Sequence, residues 1–382
     1  MAHIHKSRRH GDGGIDQRGD RFRLRWRIGN RRHSKTIIGT AREVRAELRR
    51  ILGDADRGLR VVPGKLTLGV YIEEWLAGDT ALAAKTKERY LQLARQQILP
   101  HLGACSLQDL RPAQVAEWHT LLLKSGGAGG KPLGARTVGH CHRLLHKALE
   151  RAVSLELVAR NVVHTVRPPK VDTKEIEILD RARIDAILAA LEGKELHSIV
   201  SLALATGLRR GELCGLAWGA VDLDKAELRV ERSLEQTQAG LRFKGPKTRS
   251  GRRTISLAAS TVELIRAHRR QQAEQRLKLG MGRITDEDLV FARADGSPYP
   301  PNNLSRDWSR LRTGVAFHSL RHWHASALIA SGLDVVAVSK RLGHSSPALT
   351  LSVYSHLFQG NDRRAAEAIE KALGSSLGPK FT

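Results

Sequence analysis

Eight consecutive residues of the chain alternate strictly between arginine and a large hydrophobic residue. The stretch is R-F-R-L-R-W-R-I, residues 21–28. Because successive side chains of a β-strand point to opposite faces, this period of two places every hydrophobic side chain on one face. The stretch therefore predicts a strand whose other face is wholly guanidinium, formed by Arg21, Arg23, Arg25 and Arg27.

The flanking residues predict a small α+β unit around this strand. Gly29-Asn30 is typical of a turn, and residues 32–38 predict a return strand. The sequence T-A-R-E at residues 40–43 predicts a capping box that opens a helix to about Leu52. A small sheet with an arginine face and one supporting helix suits the major groove of DNA. The alternative is an edge hairpin whose arginines only keep it in solution.

The charge of the whole chain favours a polyanionic partner. Its 382 residues contain 64 Lys+Arg against 39 Asp+Glu, a net charge of +25 that is densest in residues 1–60. Each cation placed on a phosphate releases condensed counterions, so this excess favours nucleic acid over a merely solvated basic surface. No apolar run approaches the roughly 18 residues of a membrane span, and no signal peptide is visible. We therefore expect a soluble, cytoplasmic protein without a membrane partner.

Two segments rich in Gly, Pro and charge predict a multidomain chain. They are residues 53–66 and 167–170, and they divide the chain into predicted domains at 1–60, 61–169 and 170–382. The middle domain is predicted to contain only helices, and the last of them is long and covers about residues 135–154. On that helix one face carries a basic stripe at three- and four-residue spacing, which suits a DNA clamp, although a plain helical bundle is the alternative. The stripe consists of Arg136, His140, Arg143 and Lys147.

The third domain is predicted to be mainly α with a small β-sheet. Residues 227–233 and 252–257 alternate as strands around K-G-P-K-T-R-S-G-R-R, which predicts a hairpin tip carrying Lys247. The three cysteines of the chain are widely spaced and form neither a disulfide framework nor a zinc pattern.

Tyr354 is the strongest candidate for a reactive group. The chain has four tyrosines, and this one lies in a stretch crowded with His318, Arg321, His322, His324, Arg341, His344 and His356. Our hypothesis is that it attacks a phosphodiester. Arg321 and Arg209 come from distant segments of the chain. They suit the two non-bridging oxygens of a phosphate, because each guanidinium can donate two parallel hydrogen bonds. Glu212 lies one turn after Arg209 and is placed to hold it.

The spacing of His318 and His322 also suits zinc, but the H-E-x-x-H pattern would need a glutamate where Ser319 stands. We therefore expect no metal at this site.

The order of five motifs resembles the tyrosine recombinase (phage integrase) family. They are T-G-L-R-R-G-E-L, P-K-T-R-S-G-R-R-T-I, H-S-L-R-H-W-H-A-S, L-G-H-S-S and V-Y-S-H. The resemblance is strong over residues 175–360 and looser over 67–169. It implies a small N-terminal arm-type DNA-binding domain with a three-stranded sheet and a helix, an all-α core-binding domain, and a mainly α catalytic domain with a small sheet.

The resemblance also implies an activity: a site-specific recombinase that integrates and excises a mobile element through a 3′-phosphotyrosine. It makes Arg209 and Arg321 the phosphate-binding arginines, with Glu212 in support. His318 and His344 are the active-site histidines, Lys247 protonates the leaving 5′-oxygen, and Tyr354 is the nucleophile. The implied partners are double-stranded DNA with core and arm-type sites, a homotetramer on DNA, and an accessory directionality factor. The implied location is the nucleoid of a bacterial host.

Physical chemistry supports this interpretation. A free tyrosine has a pKa of about 10, so nearby cations are needed to stabilise its phenolate and the transition state. His318 either accepts the tyrosine proton or orients Arg321. Neither ATP nor a metal cofactor is needed, because the bond energy is kept in the phosphotyrosine. Two alternatives are a topoisomerase-like relaxing enzyme and a DNA-binding regulator with an idle active site; the arginine-faced N-terminal unit favours a recombinase over the first.

Overall fold

The computed structural model describes residues 13–28, 31–56, 66–172, 179–246, 248–355 and 361–373. The chain forms two compact units, Met1–Thr173 and Lys174–Thr382. The predicted fold class is confirmed: a small sheet with a helix, then a helical segment, then a mainly helical unit with small sheets. The two predicted boundaries between the three domains stay a prediction. Lys247, His356 and the predicted turn Gly29-Asn30 lie outside the described residues.

An antiparallel three-stranded sheet opens the described chain. Its strands are β1 (Gly14–Arg18), β2 (Arg21–Ile28) and β3 (Arg31–Ile38), in the order β1-β2-β3, and helix α1 (Ala41–Asp56) follows. Phe22, Leu24 and Trp26 of β2 pack in the core with side chains of α1, and the four arginines of β2 are exposed, as the alternation predicts.

The predicted capping box at the start of α1 is also present. The Thr40 backbone N–H donates to Glu43 Oε2 at 2.8 Å, and the Glu43 backbone N–H donates to Thr40 Oγ1 at 3.4 Å.

The rest of the first unit is helical. Its helices are α2 (Leu68–Gly78), α3 (Ala84–Leu93), α4 (Leu99–Leu102), α5 (Pro112–Ser125) and α6 (Ala135–Ser154). A π-helical turn, Ala94–Ile98, continues α3 into α4, so Pro100 does not end the helix. Pro100 falls in the first turn of α4, where a missing N–H costs little.

Helix α6 buries one face against the other helices of this unit. The four residues of the basic stripe are exposed on its other side. Their contact with DNA remains a prediction.

The second unit is mainly helical. Its helices are α7 (Arg181–Leu191), α8 (Leu196–Thr206), α9 (Arg210–Cys214), α10 (Ala259–Lys278), α11 (Pro301–Arg310), α12 (Ser319–Ala330), α13 (Val335–Leu342), α14 (Pro347–Tyr354) and α15 (Asn361–Leu373). Helix α8 packs against α7, α10 and α12 and lies at the centre of the unit. None of the described helices is long and apolar enough to cross a membrane.

The strands of this unit correct one prediction. They are β4 (Val221–Asp222), β5 (Glu227–Val230), β6 (Ser233–Thr237), β7 (Gly240–Lys244) and β8 (Arg253–Ser256). The two predicted strands do pair, as β5 and β8 in a sheet of order β4-β5-β8, but they do not form one hairpin. A separate hairpin, β6–β7, lies between them. The sequence of β7, G-L-R-F-K, alternates, but its Leu241 and Phe243 are exposed and do not form a buried face.

We predict that Gly207→Ala destabilises the second unit. Gly207 ends α8 at φ 65°, and a Cβ there would lie 2.7 Å from Cδ2 of His324 and 2.9 Å from Cδ2 of Leu342. Backbone strain of about 1–2 kcal/mol and overpacking of about 1–3 kcal/mol should add. Urea unfolding of the full chain measures the decrease in stability.

Gly193→Ala is the matched control for this experiment. Gly193 has a similar φ, 72°, but open space where its Cβ would lie, so only the backbone strain applies. Equal decreases in the two variants would show that the approach of His324 to Gly207 is not tight.

Candidate active site

Arg209 and Glu212 are positioned by the start of a short helix. Gly207 ends α8, and Arg209 is the residue immediately before α9. The backbone N–H of Arg209 donates to Glu212 Oε2 at 2.8 Å, and its Nη1 donates to Oε1 at 2.8 Å. Its Nη2 donates to the backbone oxygen of Gly343 at 3.0 Å. The predicted support of Arg209 by Glu212 is thus present as a geometry, with 40% of the Arg209 side chain still open to solvent.

A second arginine, which sequence reasoning missed, shares this carboxylate. Arg253 on β8 donates from Nη2 to Glu212 Oε2 at 2.9 Å and from Nη1 to Oε1 at 3.3 Å. Burial alone would raise the pKa of Glu212, but the hydrogen bonds and charges of Arg253 and Arg209 outweigh it and lower that pKa. Glu212 is therefore a carboxylate anion held between two guanidiniums.

Arg321 is held by backbone carbonyl groups. It lies on α12 with 4% of its surface exposed, and its Nη1 and Nη2 donate to the oxygens of Gly207 and Leu342, each at 2.6 Å. Burial first, and then the charge of Arg209, lower the pKa of Arg321 to about 9. The side chain still carries its charge at pH 7, and the influence of Arg209 shows that the two guanidiniums lie near each other.

The two predicted active-site histidines are neutral at pH 7. Burial, followed by His322, Arg321 and Arg209, lowers the pKa of His318 to about 4, although the residue as a whole is exposed to solvent. Burial and the charges of Arg321 and Arg209 also lower the pKa of His344 to about 4. His344 Nδ1 lies 2.8 Å from Thr350 Oγ1, which leaves Nε2 as its second hydrogen-bonding atom.

The Tyr354 hydroxyl is paired with a histidine to which the sequence assigned no catalytic role. Its oxygen lies 2.7 Å from Nδ1 of His322, and Tyr354 is only 2% exposed among hydrophobic side chains of α12 and α13. Burial raises the pKa of Tyr354 to about 12, against the charge of Arg321. Of the two roles that we considered for His318, proton acceptor and support of Arg321, the resting geometry favours His322 for the first. The signal in the sequence was the four-residue spacing from His318 to His322.

The candidate residues fall into separate groups. Arg209, Glu212, His318, Arg321, His344 and Tyr354 come together in Lys174–Thr382, whereas Lys247 lies outside the described residues. The arginines of β2 and the basic stripe of α6 belong to Met1–Thr173. His324 and Arg341 are structural: His324 Nδ1 lies 2.7 Å from the Leu204 oxygen, and Arg341 Nε donates to His324 Nε2 at 3.2 Å.

Known proteins share both the sequence and the fold. Residues 177–360 match the phage integrase family, and residues 67–123 match its N-terminal SAM-like domain. An integrase of Streptomyces ambofaciens is 30% identical over 91% of this chain and 93% of its own length. The Tn1549 transposon integrase in complex with transposon right-end DNA has a TM-score of 0.68 at 19% identity, over 81% of this chain and all of that one. A lambda integrase tetramer bound to a Holliday junction has a TM-score of 0.54 at 18% identity, over 89% and 94%.

The matches in sequence and fold place this chain among the tyrosine recombinases. The chain belongs to the phage integrase family, and it is a site-specific recombinase that breaks and rejoins DNA strands.

The environment of His324 predicts a pH-dependent stability. Burial lowers the pKa of His324 to about 4, and the ring can donate to Leu204 and accept from Arg341 only when neutral. Between pH 6.5 and 4 the unfolded chain therefore binds more protons than the folded chain. The free energy of unfolding should fall as the pH is lowered through this window, by at most about 1.4 kcal/mol per pH unit for one histidine.

Urea unfolding at several pH values tests this. The variant His324→Gln cannot titrate, so it should have a shallower pH dependence than the original chain. His101→Gln, at an exposed position of the other unit, should keep the original slope. If the free energy of unfolding of His324→Gln depended on pH as steeply as that of the original chain, the titrating group would be a residue other than His324.

Proposed function

We propose that Arg209 and Arg321 bind the scissile phosphate and that Tyr354 attacks it. The observation that carries this is an excess of positive charge. Arg209 and Arg253 share the Glu212 carboxylate, whereas the buried Arg321 guanidinium donates to the backbone oxygens of Gly207 and Leu342. A buried charge is costly unless an opposite charge compensates it, so a pocket of this kind favours a second anion. A phosphodiester supplies that anion at the place where a tyrosine can attack.

The proposed step forms one bond and breaks another. The Tyr354 oxygen bonds to phosphorus, and the bond from phosphorus to the 5′-oxygen of the next nucleotide breaks. The products are a 3′-phosphotyrosine and a 5′-hydroxyl. The phenol proton passes to His322 Nδ1, its partner at 2.7 Å. The leaving oxygen takes its proton from Lys247, the role that the family resemblance implies. His318 and His344 donate hydrogen bonds to the phosphate, and a 5′-hydroxyl from another strand reverses the step.

We also propose that DNA binding uncovers the nucleophile. At 2% exposure the Tyr354 hydroxyl has no open path to a phosphate. Helix α14, which ends at Tyr354, is only eight residues long and exposes Leu349 and Leu351. Its displacement on DNA would therefore disturb little of the hydrophobic core.

The first unit is proposed to hold two DNA-binding surfaces. The arginine face of β2 would contact arm-type sites as part of a domain at residues 1–60, and the α6 stripe would contact core sites as part of a domain at 61–169. Asp16 already neutralises part of the positive charge of the arginine face, since Arg25 Nη2 lies 2.7 Å from Asp16 Oδ1. The catalytic domain is proposed at residues 170–382.

By likeness to the lambda integrase tetramer we propose a homotetramer on DNA, aided by a directionality factor. We place the protein in the cytoplasm of a bacterial host, on the nucleoid.

We expect Tyr354→Phe to bind DNA but to form no covalent adduct. The test is a nicked suicide substrate carrying the attachment site, followed by denaturing electrophoresis, with a mobility-shift assay for binding. Removal of the hydrogen bond to His322 should cost only about 1 kcal/mol of stability, so the variant should fold. Tyr299→Phe is the control, because that hydroxyl pairs with Asp307 elsewhere in the unit. An adduct that persists in Tyr354→Phe would place the nucleophile at another residue.

We expect the arginine face to act on arm-type DNA alone. Replacing Arg21, Arg23 and Arg25 by Gln should reduce the slope of log K against log salt by about 0.9 for each phosphate that is no longer neutralised by an arginine. Binding to core-site DNA should not change. The control replaces the same number of arginines on α1, at Arg42, Arg45 and Arg49, which are exposed on the other side of the sheet. Equal effects of the two sets of substitutions would show that the arginine face contributes only general positive charge.

A further inference from the structure

A cluster of histidines and one carboxylate lies in the first unit, whereas the proposed catalytic residues belong to the second. His146 and Glu150 are one turn apart on α6, and His164 lies on the short 3-10 helix Val162–Thr165. One ligand atom from each of the three lies within 4.8 Å of the others. His146 Nε2 is 3.4 Å from His164 Nδ1 and 3.9 Å from Glu150 Oε1, and His164 Nε2 is 2.7 Å from Glu150 Oε1.

We propose that His146, Glu150 and His164 bind a Zn²⁺ ion. Two imidazoles and one carboxylate form a ligand set that suits zinc and other borderline divalent ions, and that disfavours Mg²⁺. With bonds of about 2.0–2.1 Å, the ligand atoms of a tetrahedral zinc site lie about 3.4 Å apart. The separations from His146 Nε2 to His164 Nδ1 and to Glu150 Oε1 are close to this value. The His164 ring, whose Nε2 now pairs with Glu150, would turn so that Nδ1 faces the ion.

Asn161 orients the Glu150 carboxylate and ties the turn that carries His164 to α6. Its Nδ2 donates to Glu150 Oε1 at 2.7 Å and to the backbone oxygen of His146 at 3.0 Å, while its Oδ1 accepts from the backbone N–H of Val163 at 3.0 Å. It is itself buried. Outer partners of this kind fix the ligands of metal sites, and here the same side chain fixes the turn that carries His164.

The cluster is open enough for an ion to enter. The side chains of His146, Glu150 and His164 are 33%, 46% and 61% exposed, so water can supply a fourth ligand. A bound ion would fasten the Val162–Thr165 turn to α6 at the end of the helical segment. This role is separate from the proposed cleavage chemistry, which needs no metal.

Zinc binding to the full chain tests the proposal. His3, His5 and His10 are first replaced by Gln, because histidines of the N-terminal segment can bind zinc by themselves. In this background we expect one zinc per chain by equilibrium dialysis and metal analysis. His146→Gln and His164→Gln should weaken binding at least about tenfold, whereas His101→Gln should not change it. His164 is mostly exposed, so its variant should keep the fold, and circular dichroism checks this.

Hydrogen exchange locates the ion. Zinc should slow amide exchange in residues 162–166 of the background chain and leave it unchanged in His164→Gln, and Mg²⁺ should have no effect. The proposal is overturned if the background chain takes up no zinc, or if the His146 and His164 variants bind it as well as the His101 variant does. In either case the cluster is only a hydrogen-bonded histidine–carboxylate network. Because the readout is metal uptake and exchange, its failure is independent of any failure in strand cleavage.

Discussion

The candidate active site depends on the ion pairs that the Glu212 carboxylate makes with two arginines. Its two oxygens hold Arg209 and Arg253, which themselves bond to the backbone oxygens of Gly343 and Arg341. One buried anion thereby joins α9, β8 and the end of α13. Breaking a buried ion pair on one side costs about 3–5 kcal/mol, since the remaining charges stay uncompensated. The carboxylate is therefore both a joint of the fold and the support of the phosphate pocket.

Arg321 shows how the site keeps an unneutralised charge in its interior. Its two carbonyl partners, Gly207 and Leu342, lie at the C-terminal ends of α8 and α13, where the helix dipoles are negative. Partial charges orient and stabilise the guanidinium without cancelling its full charge. A carboxylate in the same place would neutralise it and compete with phosphate. Two helix ends thus hold a cation that remains available to an anion.

Local patterns in the sequence predicted much, and tertiary pairings explain what they missed. The alternation at residues 21–28 predicted the strand and both its faces, since a period of two is a property of the strand itself. The motif order led to the six residues from Arg209 to Tyr354 that meet in one unit. The motif order did not point to Arg253, because the role of Arg253 comes from its ion pair with Glu212, which lies 41 residues earlier in the chain. The β6–β7 hairpin was missed because its outward side chains, such as Leu241, are exposed.

The arrival of a phosphate changes the proton balance of the site in a definite direction. Its negative charge offsets Arg209 and Arg321, the cations that help to hold the pKa of His344 at about 4, so that pKa rises and His344 becomes a better hydrogen-bond donor. The same charge disfavours a phenolate, and the pKa of Tyr354 is already about 12. A free phenolate is therefore a poor intermediate at neutral pH. Attack is favoured when the proton leaves as the bond to phosphorus forms, and His322, neutral and 2.7 Å away, is placed to receive it.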